Sequence, residues 1–265
     1  MKNVLYVYGI VRDGFDAARA PAGLDDTVVS VVQSGGSAAL VSRLGGDYAP
    51  ESVESNSADV SWLSPRAMAH DRVLTWAQEH GGVIPFPMFS LWRSDDALAV
   101  TLAERAAEFR SVFARVSDAD EFGVRVHRRD DVLLQSVDEL DPEMRELKRQ
   151  ADAASPGQRY LLERKFADRS KQAAREAGQR MAKRVFDELS VLARESLARP
   201  LVPESGAARV PDATLVLNGA FLVDRRKLDG FRAAIGALVR EYQPRGLTFD
   251  FTGPWPPYNF AGDKS

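Results

Sequence analysis

The amino-acid sequence predicts an α+β fold in two domains, and three observations carry that expectation. At 265 residues the chain is long enough for two compact cores. Its first third alternates short β-rich runs with turns, whereas residues 138–153 and 157–197 are helical by pattern. A strand, a helix and a strand then follow one another between residues 213 and 252, the signature of a β-α-β unit. A polar break at residues 117–121 sets the expected boundary, with domains 1–117 and 118–265.

Residues 3–12, 27–32 and 38–42 read as strands of one sheet, separated by Pro21, Gly23, Gly35-Gly36 and Gly45-Gly46. Residues 65–80 read as a helix. Pro65 suits its first turn, Ala69, Val73, Trp76 and His80 recur three or four apart, and Gly81-Gly82 ends it. Residues 83–92 are apolar and extended, because each proline biases its predecessor away from helical geometry. Ser94 before Asp95-Asp96 signals a helix that continues to about Val116.

In the second half, Phe122, Val124 and Val126 alternate with polar or small residues in a strand over 122–128. The long helix over 157–197 carries a stripe of Met181, Val185, Leu189 and Leu192, and its many Arg and Lys residues are interspersed with acids, as on a solvated face. Residues 199–212, with Pro200, Pro203, Gly206 and Pro211, read as a linker. A strand at 213–223, a helix at 226–242 and a strand at 246–252 complete the chain. Prolines 254, 256 and 257 have no backbone donor, so the sheet is expected to stop there, with Trp255 and Tyr258 carried on a stiff extended segment. Together these elements make the C-terminal domain resemble a ferredoxin-like sandwich with additional long helices.

Composition narrows the function classes. Hydrophobic content of 45% with 28% charged residues is ordinary for a soluble globular chain. A formal net charge of -3 gives no global attraction to nucleic acid or anionic lipid, so neither is expected as a partner. With no cysteine, thiolate metal sites and cysteine nucleophiles are excluded, and the cytoplasm is the expected compartment. The opening apolar run is too short for a signal core, and no stretch approaches the roughly 20 apolar residues of a membrane span.

Local motifs for chemistry are lacking. His70 and His80 stand about 80° apart around a helix, which is not a zinc-binding pair, and His127 is isolated from both in sequence. Asp118, Asp120 and Gly123 mimic the start of a calcium loop, but Phe122 and Arg129 occupy positions that need ligands. The pairs Asp25-Asp26, Asp95-Asp96 and Asp130-Asp131 suit turns and helix starts. There is no nucleophile elbow, Walker loop or dinucleotide fingerprint. The expectation is a non-enzyme without cofactor, metal or small-molecule substrate; an enzyme assembled from distant residues is the alternative.

Separated segments point to one family. Tyr6-Val-Tyr-Gly-Ile-Val11, the His70 helix leading to Val83-Ile-Pro-Phe86, Glu121-Phe-Gly-Val-Arg-Val126, residues 157–165, residues 217–224, and Thr252-Gly-Pro-Trp-Pro-Pro-Tyr-Asn-Phe260 resemble the gas vesicle protein F/L family in order and spacing. The likeness covers nearly the whole chain, and the C-terminal segment is its most specific part. Where the family pattern has Arg-Phe-Gly-Thr after the Ile-Pro step, this chain has Pro87-Met-Phe-Ser90, which leaves the F or L subgroup open.

The resemblance implies a non-enzymatic accessory or minor structural component of the gas vesicle, cytoplasmic before assembly. Its implied partners are the hydrophobic shell protein and other gas vesicle accessory proteins. It also implies two α+β domains. Aromatic rings bury large areas with few torsions to freeze, so Phe86, Met88, Phe89, Trp92, Trp255, Tyr258 and Phe260 are the expected partner contacts. The competing expectation is that both segments seal their own domains. A scaffold acting through the long charged helix is a further alternative.

Overall fold

The computed structural model describes residues 4–45, 48–202 and 210–262. The chain forms two compact units. One comprises the described residues through Glu121 together with those from Pro254 onward; the other is Phe122–Gly253. The closing aromatic segment therefore packs with the first unit, whereas a division at 117/118 places it in the second.

The first unit is built on β1 (Val4–Arg12), β2 (Ser30–Ser34), β3 (Ser37–Leu44), β4 (Ile84–Pro85) and β5 (Leu91–Trp92). The order is β2-β3-β1-β4, and β5 also pairs with β1. β2 and β3 form a hairpin whose two turn residues, Gly35 and Gly36, have φ of 61° and 77°, the left-handed geometry that tight hairpins require. Both faces of β1 are nearly closed: Leu5 through Val11 are buried, so the strand reads as a continuous apolar run.

Helices α1 (Pro50–Asn56), α2 (Val60–His80), α3 (Asp95–Glu104) and α4 (Ala106–Val116) complete this unit. α2 starts earlier than its pattern predicts. Asp59 caps it by accepting the Ser61 N–H at 2.8 Å, which leaves Pro65 inside the helix rather than in its first turn. The helix expected over 94–116 is divided at Arg105, whose φ of -98° and ψ of 10° depart from helical values. Its start at Ser94 is as expected, with the Ser94 hydroxyl accepting the Ala97 N–H. Ala69, Val73, Leu74 and Ala77 of α2 pack with Tyr6, Tyr8, Leu40 and Val83 in one core.

β6 (Ala119–Arg128) carries the chain into the second unit, which holds α5 (Asp130–Gln135), α6 (Val137–Leu140), α7 (Pro142–Ala153), α8 (Pro156–Leu192), β7 (Glu195–Ala198), β8 (Thr214–Asp224), α9 (Leu228–Tyr242) and β9 (Leu247–Trp255). The sheet order is β7-β8-β6-β9. Phe122, Val124 and Val126 from β6 meet Met181, Val185 and Leu189 from α8, Phe221 from β8 and Phe231 from α9. The α8 stripe is thus part of this unit's own core.

Two sequence expectations change here. The long helix ends at Leu192, and residues 195–198 are a strand that the helical pattern masks. Pairing decides the matter: the Arg194 N–H donates to the Leu222 carbonyl at 2.7 Å, and Arg194 forms an ion pair with Asp224. β9 also continues through Pro254 to Trp255 instead of stopping at residue 252. It is an end strand of the sheet, where a missing N–H is tolerated. Of the expected linker, residues 203–209 lie outside the described residues, as does Gly46.

Candidate partner-binding surface

Both aromatic and proline-rich segments belong to the first unit. The earlier one leaves and rejoins β1: Ile84 and Pro85 pair with Ile10 and Gly9, and Leu91 and Trp92 pair with Tyr6 and Leu5. Between them the chain arches outward, held by the Phe86 N–H donating to the Tyr8 carbonyl and the Val7 N–H donating to the Ser90 carbonyl, each at 2.9 Å. Gly9 makes the near end possible. A Cβ there would stand 2.5 Å from the Ile84 carbonyl oxygen and 2.8 Å from the Val83 side chain.

A buried polar network lies beneath the arch. The Tyr6 hydroxyl is 2.7 Å from His70 Nδ1 and accepts the Phe89 N–H at 3.4 Å. His70 also hydrogen-bonds the Phe86 backbone. Burial depresses the His70 pKa to about 4, so the ring is neutral at physiological pH. Tyr8 donates to Ser42 and accepts the Leu24 N–H, and its ring stacks on His70. Burial pushes the Tyr6 and Tyr8 phenols above their ordinary range.

The four residues expected as contacts on this arch are all half-buried. Phe86 stacks on Trp92 at 5.9 Å. Phe89 has a left-handed φ of 61°, uncommon for an aromatic residue, and its ring stacks on Trp62 and meets Tyr6 edge-on. Arg66 lies over the other partner, 4.2 Å from the Trp62 ring centre, and joins Asp25 and the Tyr48 hydroxyl. These rings are engaged with their own unit.

The C-terminal segment is pinned at several points. Glu121, itself buried, accepts the Asn259 backbone N–H at 2.8 Å and the Asn259 side-chain amide. The Tyr258 hydroxyl donates to Asp71 at 3.0 Å, and Arg115 donates to the carbonyls of Phe260 and Gly262. Pro256, Pro257 and Phe260 are buried, whereas Trp255 and Tyr258 are 38% and 42% exposed. Of the seven expected contact residues, these two are outward-facing and Phe260 is core. Desolvation and the Asp71 charge hold the Tyr258 phenol above its ordinary range.

Neighbouring residues of α2 thus tie both segments: His70 the arch, Asp71 the tail. In the sequence His70 and Glu121 stand out only as parts of the segments that carry the family resemblance, and Asp71 and Arg115 carry no signal at all. Polar residues that serve a distant segment carry no local pattern; the partner lies up to 187 positions away. His127 is buried and His80 lies on the surface stacked on Trp76. Among the described residues, no group of three or more potential ligands converges as a metal site, and no helix is long and apolar enough to cross a membrane.

A family model described as gas vesicle synthesis protein GvpL/GvpF matches residues 4–262. The chain belongs to the GvpL/GvpF family. It is 31% identical to gas vesicle protein F of Streptomyces sp. (strain CB03234) over 97% of this chain and 98% of that one. To gas vesicle protein L of the same strain it is 27% identical, over 97% of this chain and 92% of that one. The mixed helix and sheet architecture matches the crystal structure of GvpF from Anabaena sp. PCC7120, with a TM-score of 0.68, 19% identity and coverage of 99% and 98%. GvpF from Microcystis aeruginosa gives 0.69 at 15% identity, over 99% of this chain and all of that one. The segments that carry the GvpL/GvpF resemblance prove to be mutual supports: His70 with Tyr6 and the Phe86 backbone, and Glu121 with Asn259. In the second unit, a Cβ on Gly123 would meet the Thr252 hydroxyl at 2.6 Å, and Asn218 anchors Arg199 and the Pro200 carbonyl.

Proposed function

We propose that this GvpL/GvpF protein binds the apolar shell subunit of the gas vesicle and assists its nucleation and assembly, as a non-enzymatic accessory or minor structural component. Family membership supports the gas vesicle context. The observation that carries the contact is the C-terminal segment, where Trp255 and Tyr258 are exposed on a backbone fixed by two buried prolines and the Glu121–Asn259 clamp. Such rings bind with little further loss of conformational freedom. On this reading the protein is cytoplasmic before assembly and vesicle-associated afterwards, and other gas vesicle accessory proteins are its further partners.

The architecture behind this reading is two α+β domains, the second ferredoxin-like. Support comes from its β-α-β-β-α-β succession and the order β7-β8-β6-β9, in which the first strand, β6, is central. Self-association through the 181–192 stripe is not favoured, because Met181, Val185 and Leu189 are buried in their own core.

The test uses purified shell protein and light scattering. Suppressed or accelerated aggregation in the presence of this protein, together with co-sedimentation, is the expected result; neither effect at stoichiometric ratio overturns the proposal.

A further inference from the structure

α8 has 37 residues, about 55 Å of helix at 1.5 Å per residue, but its buried side chains begin only at Ala173. Before that point Leu162 and Phe166 are half-buried, and α7 lies alongside as the other arm of a helical hairpin. Arg159 closes the hairpin by donating to the carbonyls of Ala151 and Asp152, and Arg169 ties it by pairing with Glu143. Near the turn, a cleft of about 550 Å³ opens between the two helices, lined by Arg149, Ala153, Ala154, Gln158, Leu161 and Leu162 among others. Leu161 is 65% exposed and its neighbour Tyr160 63%. Small residues on one helix and leucines on the other make a groove into which a third helix packs its ridge.

Charge selects the occupant. Residues 156–172 contain five basic side chains and two acidic ones. Arg159 and Arg169 are engaged within the hairpin, whereas Arg164, Lys165 and Lys171 are exposed on the same stretch. Lys165 is four residues from Leu161 and shares its face. We propose that the α7–α8 hairpin is a docking arm for an acidic amphipathic helix of a partner protein, its apolar stripe on Leu161 and Leu162 and its carboxylates toward Arg164 and Lys165. The residues involved lie in the second unit, so this contact does not depend on the shell contact proposed for Trp255 and Tyr258.

The test titrates isotopically labelled full-length protein with a synthetic helical peptide carrying leucine at i, i+3, i+4 and i+7 and glutamate on its flanks. A second peptide with lysine in place of glutamate and vesicles of anionic phospholipid form the other arms. The expected result is methyl shifts at Ala153, Ala154 and Leu161 with the acidic peptide alone. Leu161→Glu, and separately the Arg164→Glu/Lys165→Glu pair, are expected to weaken that binding at least tenfold with unchanged circular dichroism. Equal binding of the lysine peptide, undiminished binding by both variants, shifts confined to other regions, anionic vesicles moving the same methyl signals, or concentration-dependent self-association through those methyls each overturns it.

Discussion

Glu121 holds Asn259 with both carboxylate oxygens, one on the backbone N–H and one on the side-chain amide, across 138 positions of sequence. A carboxylate buried to 5% exposure is tolerable only when its acceptor sites are filled, so the clamp works both ways. Asn259→Ala removes the side-chain amide from Glu121, and Glu121→Ala removes the acceptor of both Asn259 donors. Each is expected to cost about 1.5 to 3 kcal/mol, the range for hydrogen bonds to charged groups. Glu121→Gln, which turns one acceptor into a donor facing Asn259, should fall between these and the unmodified protein. Urea midpoints measure the loss, and proteolysis confined to the residues after Gly253 locates it.

His70 makes stability depend on pH in a definite direction. Its folded-state pKa of about 4 lies below the ordinary 6.5, so between these values the unfolded chain binds a proton that the folded chain does not. The His70 contribution is complete above pH 6.5 and is lost as pH falls toward 4, at about 1.4 kcal/mol per unit. Denaturant midpoints between pH 7.5 and 4 should decline with this extra slope in the native sequence. His70→Gln, which retains hydrogen-bonding capacity without titrating, should flatten the curve by about one proton in that window. Parallel curves for the two proteins would sink the assignment.

Gly9 is expected to resist substitution because of space rather than backbone dihedrals. The first atom added at that position collides with the Ile84 carbonyl, part of a main-chain pairing that has no rotamer by which to retreat. Gly9→Ala should lower stability by about 2 to 3 kcal/mol, as overpacking in a closed site does. Amide exchange should report the damage first at Phe86, whose N–H donates to Tyr8 beside the clash.

Strands and helices whose side chains obey one period were legible from sequence: Phe122, Val124 and Val126 alternate because one face of β6 meets the core, and Met181, Val185 and Leu189 recur because one face of α8 does. Elements set by distant partners were not. Residues 195–198 carry a helix-compatible pattern, and only pairing with β8 makes them β7. Pro65 resembles a helix start, but the Asp59 cap begins the helix nearly two turns earlier. The candidate surface was half legible. Aromatic content marked both segments, but whether a ring faces out or in depends on what lies beneath it, as the buried Phe260 and the exposed Trp255 show. Asp71 and Glu121 carry no aromatic or periodic signal, because their role is to satisfy donors far along the chain.

Trp255 and Tyr258 separate partner binding from stability. Tyr258→Phe removes the hydroxyl that donates to Asp71 and keeps the ring, so it should cost about 1 kcal/mol and leave shell binding nearly intact. Trp255→Ala removes a side chain at the exposed end of β9 and should shift the urea midpoint little. If the two rings meet the shell subunit, Trp255→Ala/Tyr258→Ala should reduce co-sedimentation with shell protein at least tenfold, about 1.4 kcal/mol or more of binding free energy. If they seal the first unit instead, the double variant should lose stability and retain whatever binding its folded fraction supports. Measuring urea midpoint and co-sedimentation on the same preparations tells the two apart, because a contact residue moves the second quantity without the first.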